Sequence, residues 1–165
     1  VPRAGQQLPH LLEIADYPVV HHGDVAFGEE TGIWYGAVIR GDRDRIEIGA
    51  GSNIQDNAVV HTSRGHPARI GRGVSVGHGA ILHGCTIRDR VLVGMGAIVM
   101  NGAEIGEDTI IAAGAVVTEG TVIPPGSVVM GVPAKVVKQA SPDQKSGIRK
   151  NAESYIALAR EYRHG

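Results

Sequence analysis

The stretch Ile87-Arg88-Asp89-Arg90-Val91-Leu92-Val93-Gly94-Met95-Gly96-Ala97-Ile98-Val99-Met100-Asn101-Gly102-Ala103-Glu104-Ile105 decides the fold, because an aliphatic residue returns in it every six positions. A helix would need apolar spacing near 3.6, and a hairpin sheet would need alternation broken by turn signals every eight to twelve residues. Neither fits. The period continues C-terminally through Ile111, Val117, Ile123 and Val129, and N-terminally it runs through Leu82, Val76, Ile70, Val60, Ile54 and Ile48. Glycine often follows the aliphatic residue, as at Gly49, Gly71, Gly77, Gly94 and Gly106, and a small or β-branched residue usually stands four positions on. Fixed-period repetition of this kind marks a solenoid whose coils bury one another. Each aliphatic residue points inward and the residue after it points outward, as strand alternation requires.

The step slips in three places: Ile39 to Ile48 is nine residues, Val60 to Ile70 is ten and Leu82 to Ile87 is five. Reading each slip as an altered corner between complete coils gives coils led by Phe27/Ile33/Ile39, Ile48/Ile54/Val60, Ile70/Val76/Leu82, Ile87/Val93/Val99 and Ile105/Ile111/Val117. On the third face the outward positions of successive coils are then Arg40, His61, His83 and Met100. His61 and His83 are expected one strand spacing apart, ~4.8 Å between backbones. That separation suits two ligands of one ion. His78 falls on the second face near a corner, with Asp56 one coil before it, so a neighbouring subunit could supply it and three-fold symmetry would create three identical sites. Three imidazoles suit zinc, cobalt or ferrous iron and leave a coordination position open. His10, His21, His22, His66 and His164 are read as ordinary solvated or hydrogen-bonded histidines.

The flanks differ from the repeat. Residues 1–17 read as an irregular lead-in, 18–134 as the β-helix and 135–165 as a linker and helix. Ser141-Pro142-Asp143-Gln144 offers an N-cap, a proline at the first helical position and a capping-box glutamine. Ile148, Ala152, Tyr155, Ile156, Ala159 and Tyr162 then mark an apolar stripe to be buried against the β-helix or a neighbouring subunit.

At 165 residues the chain fits one domain, and 24 glycines with only six aromatic residues imply a core of small and β-branched side chains. Sixteen Lys and Arg against 17 Asp and Glu give no electrostatic case for nucleic acid or an anionic membrane as partner. The expected ligand is a small molecule. A single cysteine, Cys85, cannot form an internal disulfide, and no apolar run is long enough to span a bilayer, which favours the cytoplasm.

Ile39-Arg40-Gly41-Asp42, Asn53-Ile54-Gln55-Asp56-Asn57, His61-Thr62 and His78-Gly79-Ala80-Ile81-Leu82-His83 together resemble the signature of the γ-class carbonic anhydrases. Gly131-Val132-Pro133-Ala134-Lys135 resembles a segment shared with hexapeptide acyltransferases and does not choose an activity. The resemblance implies an all-β, left-handed parallel β-helix of hexapeptide repeats with a C-terminal α-helix, assembled as a homotrimer. It implies zinc, or iron or cobalt, held by His61 and His83 of one subunit and His78 of the next, and reversible hydration of carbon dioxide to bicarbonate. Gln55 would orient the attacking hydroxide, Arg40 and Asp42 would be interface ion-pair residues with Asp56 as partner across the boundary, and Tyr155 would approach the metal from the helix. A structural role is the competing reading of Arg40, Asp42 and Asp56, and packing is that of Tyr155.

Two departures bear on proton export. Arg43 stands where the prototype of the family has a glutamate, and Ser63-Arg64-Gly65-His66-Pro67-Ala68-Arg69 lacks the family's acidic loop. A shuttle role for His66 competes with its favoured reading as a solvated loop histidine. Thioester hydrolysis by the same kind of site and a non-catalytic trimeric scaffold are the competing functions; hexapeptide acyl transfer fits less well, because it needs a histidine base in a coenzyme A cleft.

Overall fold

The computed structural model describes the backbone of residues 11–13 and 20–164 and the side chains of residues 22–162. The chain forms a left-handed parallel β-helix closed by one C-terminal helix. Short strands stack coil upon coil in the register that the period predicts: Ile33 pairs with Ile54, Ile54 with Val76, Val76 with Val93 and Val93 with Ile111 along one sheet. Ile39 pairs with Val60, Val60 with Leu82, Leu82 with Val99 and Val99 with Val117 on another face. Parallel crossovers are right-handed almost everywhere else, so this fold is an exception.

Inward positions form one continuous core. Ile87, Val93, Val99, Ile105, Ile111 and Val117 are each no more than 1% exposed. Small residues four positions on, among them Ala58, Ala80, Ala97, Ala103 and Ala115, are buried with them. Their size leaves room for the chain to bend at each corner. The glycine after an aliphatic residue has a steric cause. A Cβ at Gly49 would lie 2.5 Å from the Gly71 carbonyl oxygen of the next coil, a separation that no side chain tolerates.

The slips in the period turn out to be of three physical kinds. Val38–Ile48 is one continuous strand that rounds its corner from the third face to the first face of the next coil, pairing with Val20–Phe27 on one side and with Val59–His61 and Ala68–Ile70 on the other. The ten-residue step holds a turn in which the His66 amide donates to the Ser63 carbonyl at 2.9 Å. Asp44 braces it by accepting from the Gly65 amide at 3.0 Å. The five-residue step tightens its corner at Gly84, in the left-handed region at φ 54°.

At the ends, two segments carry more order than expected. Leu11–Glu13, within the lead-in read as irregular, pairs in parallel with Thr31–Ile33, extending the ladder by one rung; the rest of residues 1–17 lies outside the described residues. Lys135–Gln139, read as linker, turns back as an antiparallel strand on Ser127–Met130. Both segments satisfy backbone groups that an open sheet edge would leave unpaired.

The helix, Pro142–His164, begins where its capping box predicts. The Gln144 amide donates to Ser141 Oγ at 3.1 Å and Gln144 Oε1 accepts from the Ser141 amide at 3.0 Å. Ile148, Ala152 and Ala159 are buried, and Tyr155 packs edge-on against Trp34 with ring centroids 5.2 Å apart. Tyr162 departs from the expected stripe: it is 52% exposed, although its ring still leans on Trp34 and Tyr35. Removing the cap with Ser141→Ala should cost about 1 kcal/mol. Amide hydrogen exchange should show the loss as faster exchange in the first helical turn, with the β-helix core unchanged.

Candidate metal centre

Strand alternation turns the residue after each inward aliphatic outward, and on the third face this stacks Arg40, His61 and His83 in one column. Arg40 is opposite His61, and His61 is opposite His83. The two imidazoles cross nearly at right angles with centroids 4.8 Å apart, and His61 Nδ1 lies 2.9 Å from His83 Nε2.

Each ring is tethered at its other nitrogen. His61 Nε2 lies 2.9 Å from Asp42 Oδ1, and His83 Nδ1 lies 2.8 Å from Asn101 Oδ1. A carboxylate and an amide oxygen only accept, so both outer nitrogens carry hydrogens that they donate. In the neutral rings the two inner nitrogens therefore present lone pairs to each other across 2.9 Å. That gap calls for a cation, either a proton or a metal ion. The spacing is close to ~3.3 Å, the edge of a tetrahedron whose metal–nitrogen bonds are about 2.0–2.1 Å. The donor set and its spacing fit a first-row divalent ion.

His78 lies in the other sheet's column, after Ser75–Val76. Its Nδ1 pairs with Asp56 Oδ2 at 2.8 Å, and its Nε2 faces Tyr155 Oη at 3.4 Å. Burial, with the Asp56 charge adding to it, raises the pKa of the Tyr155 phenol, so its hydroxyl stays protonated near neutrality. Tyr155 thus packs against Trp34 and touches His78 at once. Among the described residues of one chain, no three His, Cys, Asp or Glu side chains gather to hold a metal ion.

Gln55 is 5% exposed. Its Nε2 donates to Asn53 Oδ1 at 3.0 Å, and Asn53 Nδ2 donates to Ser75 Oγ at 3.0 Å, so the amide's orientation is set from below. With His78, Met95, Asn151 and Tyr155 it lines a groove of about 470 Å³ beside the helix. Arg40 Nη1 donates to Asp42 Oδ2 at 2.7 Å within the chain. Partial burial opposes ionisation of Asp42, but hydrogen bonds from His61 and Arg40 and the Arg40 charge outweigh it and hold the carboxyl below its usual range. Within the chain Asp56 engages His78.

Two features of the site escaped the sequence reading. Asn101, which anchors His83, sits in a corner just past the column, where the six-residue period does not say which way a side chain turns. The other is a stripe on the outside of the third face. Val38, Val59, Ile81, Ile98 and Val116 stand in register one position before the inward aliphatics, half-buried or exposed. Its signal was available, because the first face bears Glu47, Arg69, Thr86 and Glu104 at the corresponding places.

Cys85 beside the column is buried, and burial pushes its thiol up to about 12. A thiol-specific reagent should leave it unmodified in the native protein and label it on unfolding in denaturant.

Coils of this register are those of the hexapeptide-repeat proteins. The family model described as bacterial transferase hexapeptide (six repeats) matches residues 84–119. A Methanocaldococcus jannaschii protein named "Probable carbonic anhydrase" is 53% identical over 137 residues, 83% of this chain and 86% of its own. A carbonic anhydrase of Geobacillus kaustophilus is 49% identical over 91% of this chain and 82% of its own. The crystal structure of a hexapeptide transferase family protein from Anaplasma phagocytophilum superposes with a TM-score of 0.87 at 42% identity, covering 93% of this chain and 90% of that one. The chain belongs to the γ-class carbonic anhydrase family.

Proposed function

We propose that this protein hydrates carbon dioxide reversibly at metal sites shared between the subunits of a homotrimer, each site taking His61 and His83 from one subunit and His78 from the next. The observation that carries the reading is the pair of opposed lone pairs on His61 and His83, which two tethered rings hold open for a cation. Two further facts support it. The histidine pair is flanked by an uncovered aliphatic stripe, which a second copy of the chain would bury, and His78 on the other sheet has its Nδ1 engaged by Asp56, leaving Nε2 as the ligand atom. The carbonic anhydrases among its relatives agree with the chemistry.

Zinc, iron or cobalt held there would act as a Lewis acid, lowering the pKa of a bound water from 15.7 to about 7. The chain's own residues do the rest. Gln55, its Nε2 already engaged by Asn53, offers its carbonyl oxygen to the O–H of the nucleophile and turns an oxygen lone pair toward carbon dioxide. The Tyr155 hydroxyl and the apolar wall of the groove border the same space. Proton export is the weak step: residues 62–69 carry no carboxylate, and His66 is the titratable side chain of that loop. The unpaired, buried Cys85 accords with a cytoplasmic setting, and among the described residues no helix is long and apolar enough to cross a membrane.

Stopped-flow hydration of carbon dioxide, measured on protein loaded separately with zinc, cobalt and iron, tests the proposal. Catalysis should exceed the buffer rate with at least one metal and should rise further with small imidazole buffers that take the proton directly. Hydration no faster than buffer with all three would overturn it in favour of thioester hydrolysis or a scaffold. Gln55→Ala should lower hydration by about 10- to 100-fold while leaving metal content and trimer mass unchanged, because it acts beyond the coordination sphere.

A further inference from the structure

We infer that Asn101 is a positioning residue that sets the tautomer of His83 and so keeps its Nε2 available to the metal, an inference that rests on the metal reading above. Asn101 Oδ1 lies 2.8 Å from His83 Nδ1. Because an amide oxygen has no hydrogen to give, this contact requires the His83 proton to reside on Nδ1.

The local fold is built around that contact. Gly84, directly after His83, turns in the left-handed region, and a Cβ there would stand 2.4 Å from Asn101 Oδ1 and 2.8 Å from His66 Cβ. Any side chain at position 84 would displace the amide. The corner that carries Asn101 is pinned beneath it, since the Gly102 amide donates to the Gly84 carbonyl at 2.8 Å. Asn101 therefore reaches His83 from a fixed backbone one coil further along, through a gap that glycine leaves open.

The alternative state shows what the contact prevents. Without an acceptor at Nδ1, the His83 proton can move to Nε2 and be donated across 2.9 Å to His61 Nδ1. Both inner lone pairs would then be consumed by an ordinary hydrogen bond. A metal ion would have to break that bond before binding. Asp56 performs the same service for His78 by accepting from its Nδ1, so two imidazoles of the proposed site are held to one tautomer by outside acceptors.

The test compares Asn101→Leu, which keeps volume and removes the acceptor, with Asn101→Asp, which restores an oxygen at the same place. Zinc affinity is read by competition with a chromophoric chelator, and mass and circular dichroism confirm the assembly and fold. Asn101→Leu should weaken zinc by about 10- to 100-fold, and Asn101→Asp should bind within a few-fold of the parent. Equal zinc affinity of parent and folded Asn101→Leu overturns the inference alone. Failure of the parent itself to bind zinc, cobalt and ferrous iron alike overturns the metal reading and this inference with it. Should Asn101→Leu not fold, ¹⁵N–¹H correlation of the histidine rings in the metal-free parent decides: the His83 resonances, assigned with His83→Gln, should carry the Nδ1–H signature. An Nε2–H tautomer there would refute the role of Asn101.

Discussion

Two variants that each lose the metal, His78→Ala and His83→Ala, regain part of it when their chains are unfolded together and refolded as mixed trimers. Alone, each leaves every proposed site with two imidazoles, and two ligands seldom retain a labile first-row ion. In a mixed trimer, a His78→Ala chain still offers its His61 and His83, and a His83→Ala chain still offers its His78. Random assembly places these two chains in the productive order at about one interface in four, so about a quarter of the parental metal content and hydration should return. Metal analysis of the mixed sample is the readout. If all three histidines acted within one chain, mixing would restore nothing, and each variant would remain as empty as before.

The second large effect belongs to the outer stripe. Ile81, 36% exposed in the single chain, stands between Val59 and Ile98 in the aliphatic row beside His83. Ile81→Glu should convert the proposed trimer to monomers, because a carboxylate without a partner is too costly to bury in an apolar contact. The same change at an outward position leaves the core untouched. Sedimentation should therefore report a monomer of 17.3 kDa, circular dichroism should report an intact β-helix, and bound metal should fall to near zero. A metal-loaded trimer of Ile81→Glu would show that this face is not the interface.

The register of the coils and the facing of His61 and His83 were legible because the inward residues recur at a constant interval and outward ones follow by alternation. Where the chain leaves that regime the period falls silent. Val38–Ile48 was readable as a slip of nine residues, yet its course as an unbroken strand around a corner depends on backbone curvature rather than on the apolar pattern. Asn101 is invisible for the same reason: its direction is set by the corner geometry and by the space that Gly84 leaves, neither of which is a property of residue 101. Leu11–Glu13 lacks the hexapeptide spacing and joins the sheet only because Thr31–Ile33 presents an edge. The helix was legible at its start, where capping chemistry is local, and less so at Tyr162, whose half-exposed ring lies near the helix end.

The reversed strand Lys135–Gln139 has a consequence for the length of the particle. A stack of alike coils has no natural end: its last rung offers the same row of amides and carbonyls as every rung before it, and another molecule could dock there and lengthen the column without limit. Running backwards across Ser127–Met130, with all five of its residues exposed and Lys135 and Lys138 among them, the strand replaces a parallel rim with an antiparallel, positively charged one. A neighbour arriving in the growth direction meets the wrong polarity and a like charge. On this face five residues thus work against end-to-end growth of the column.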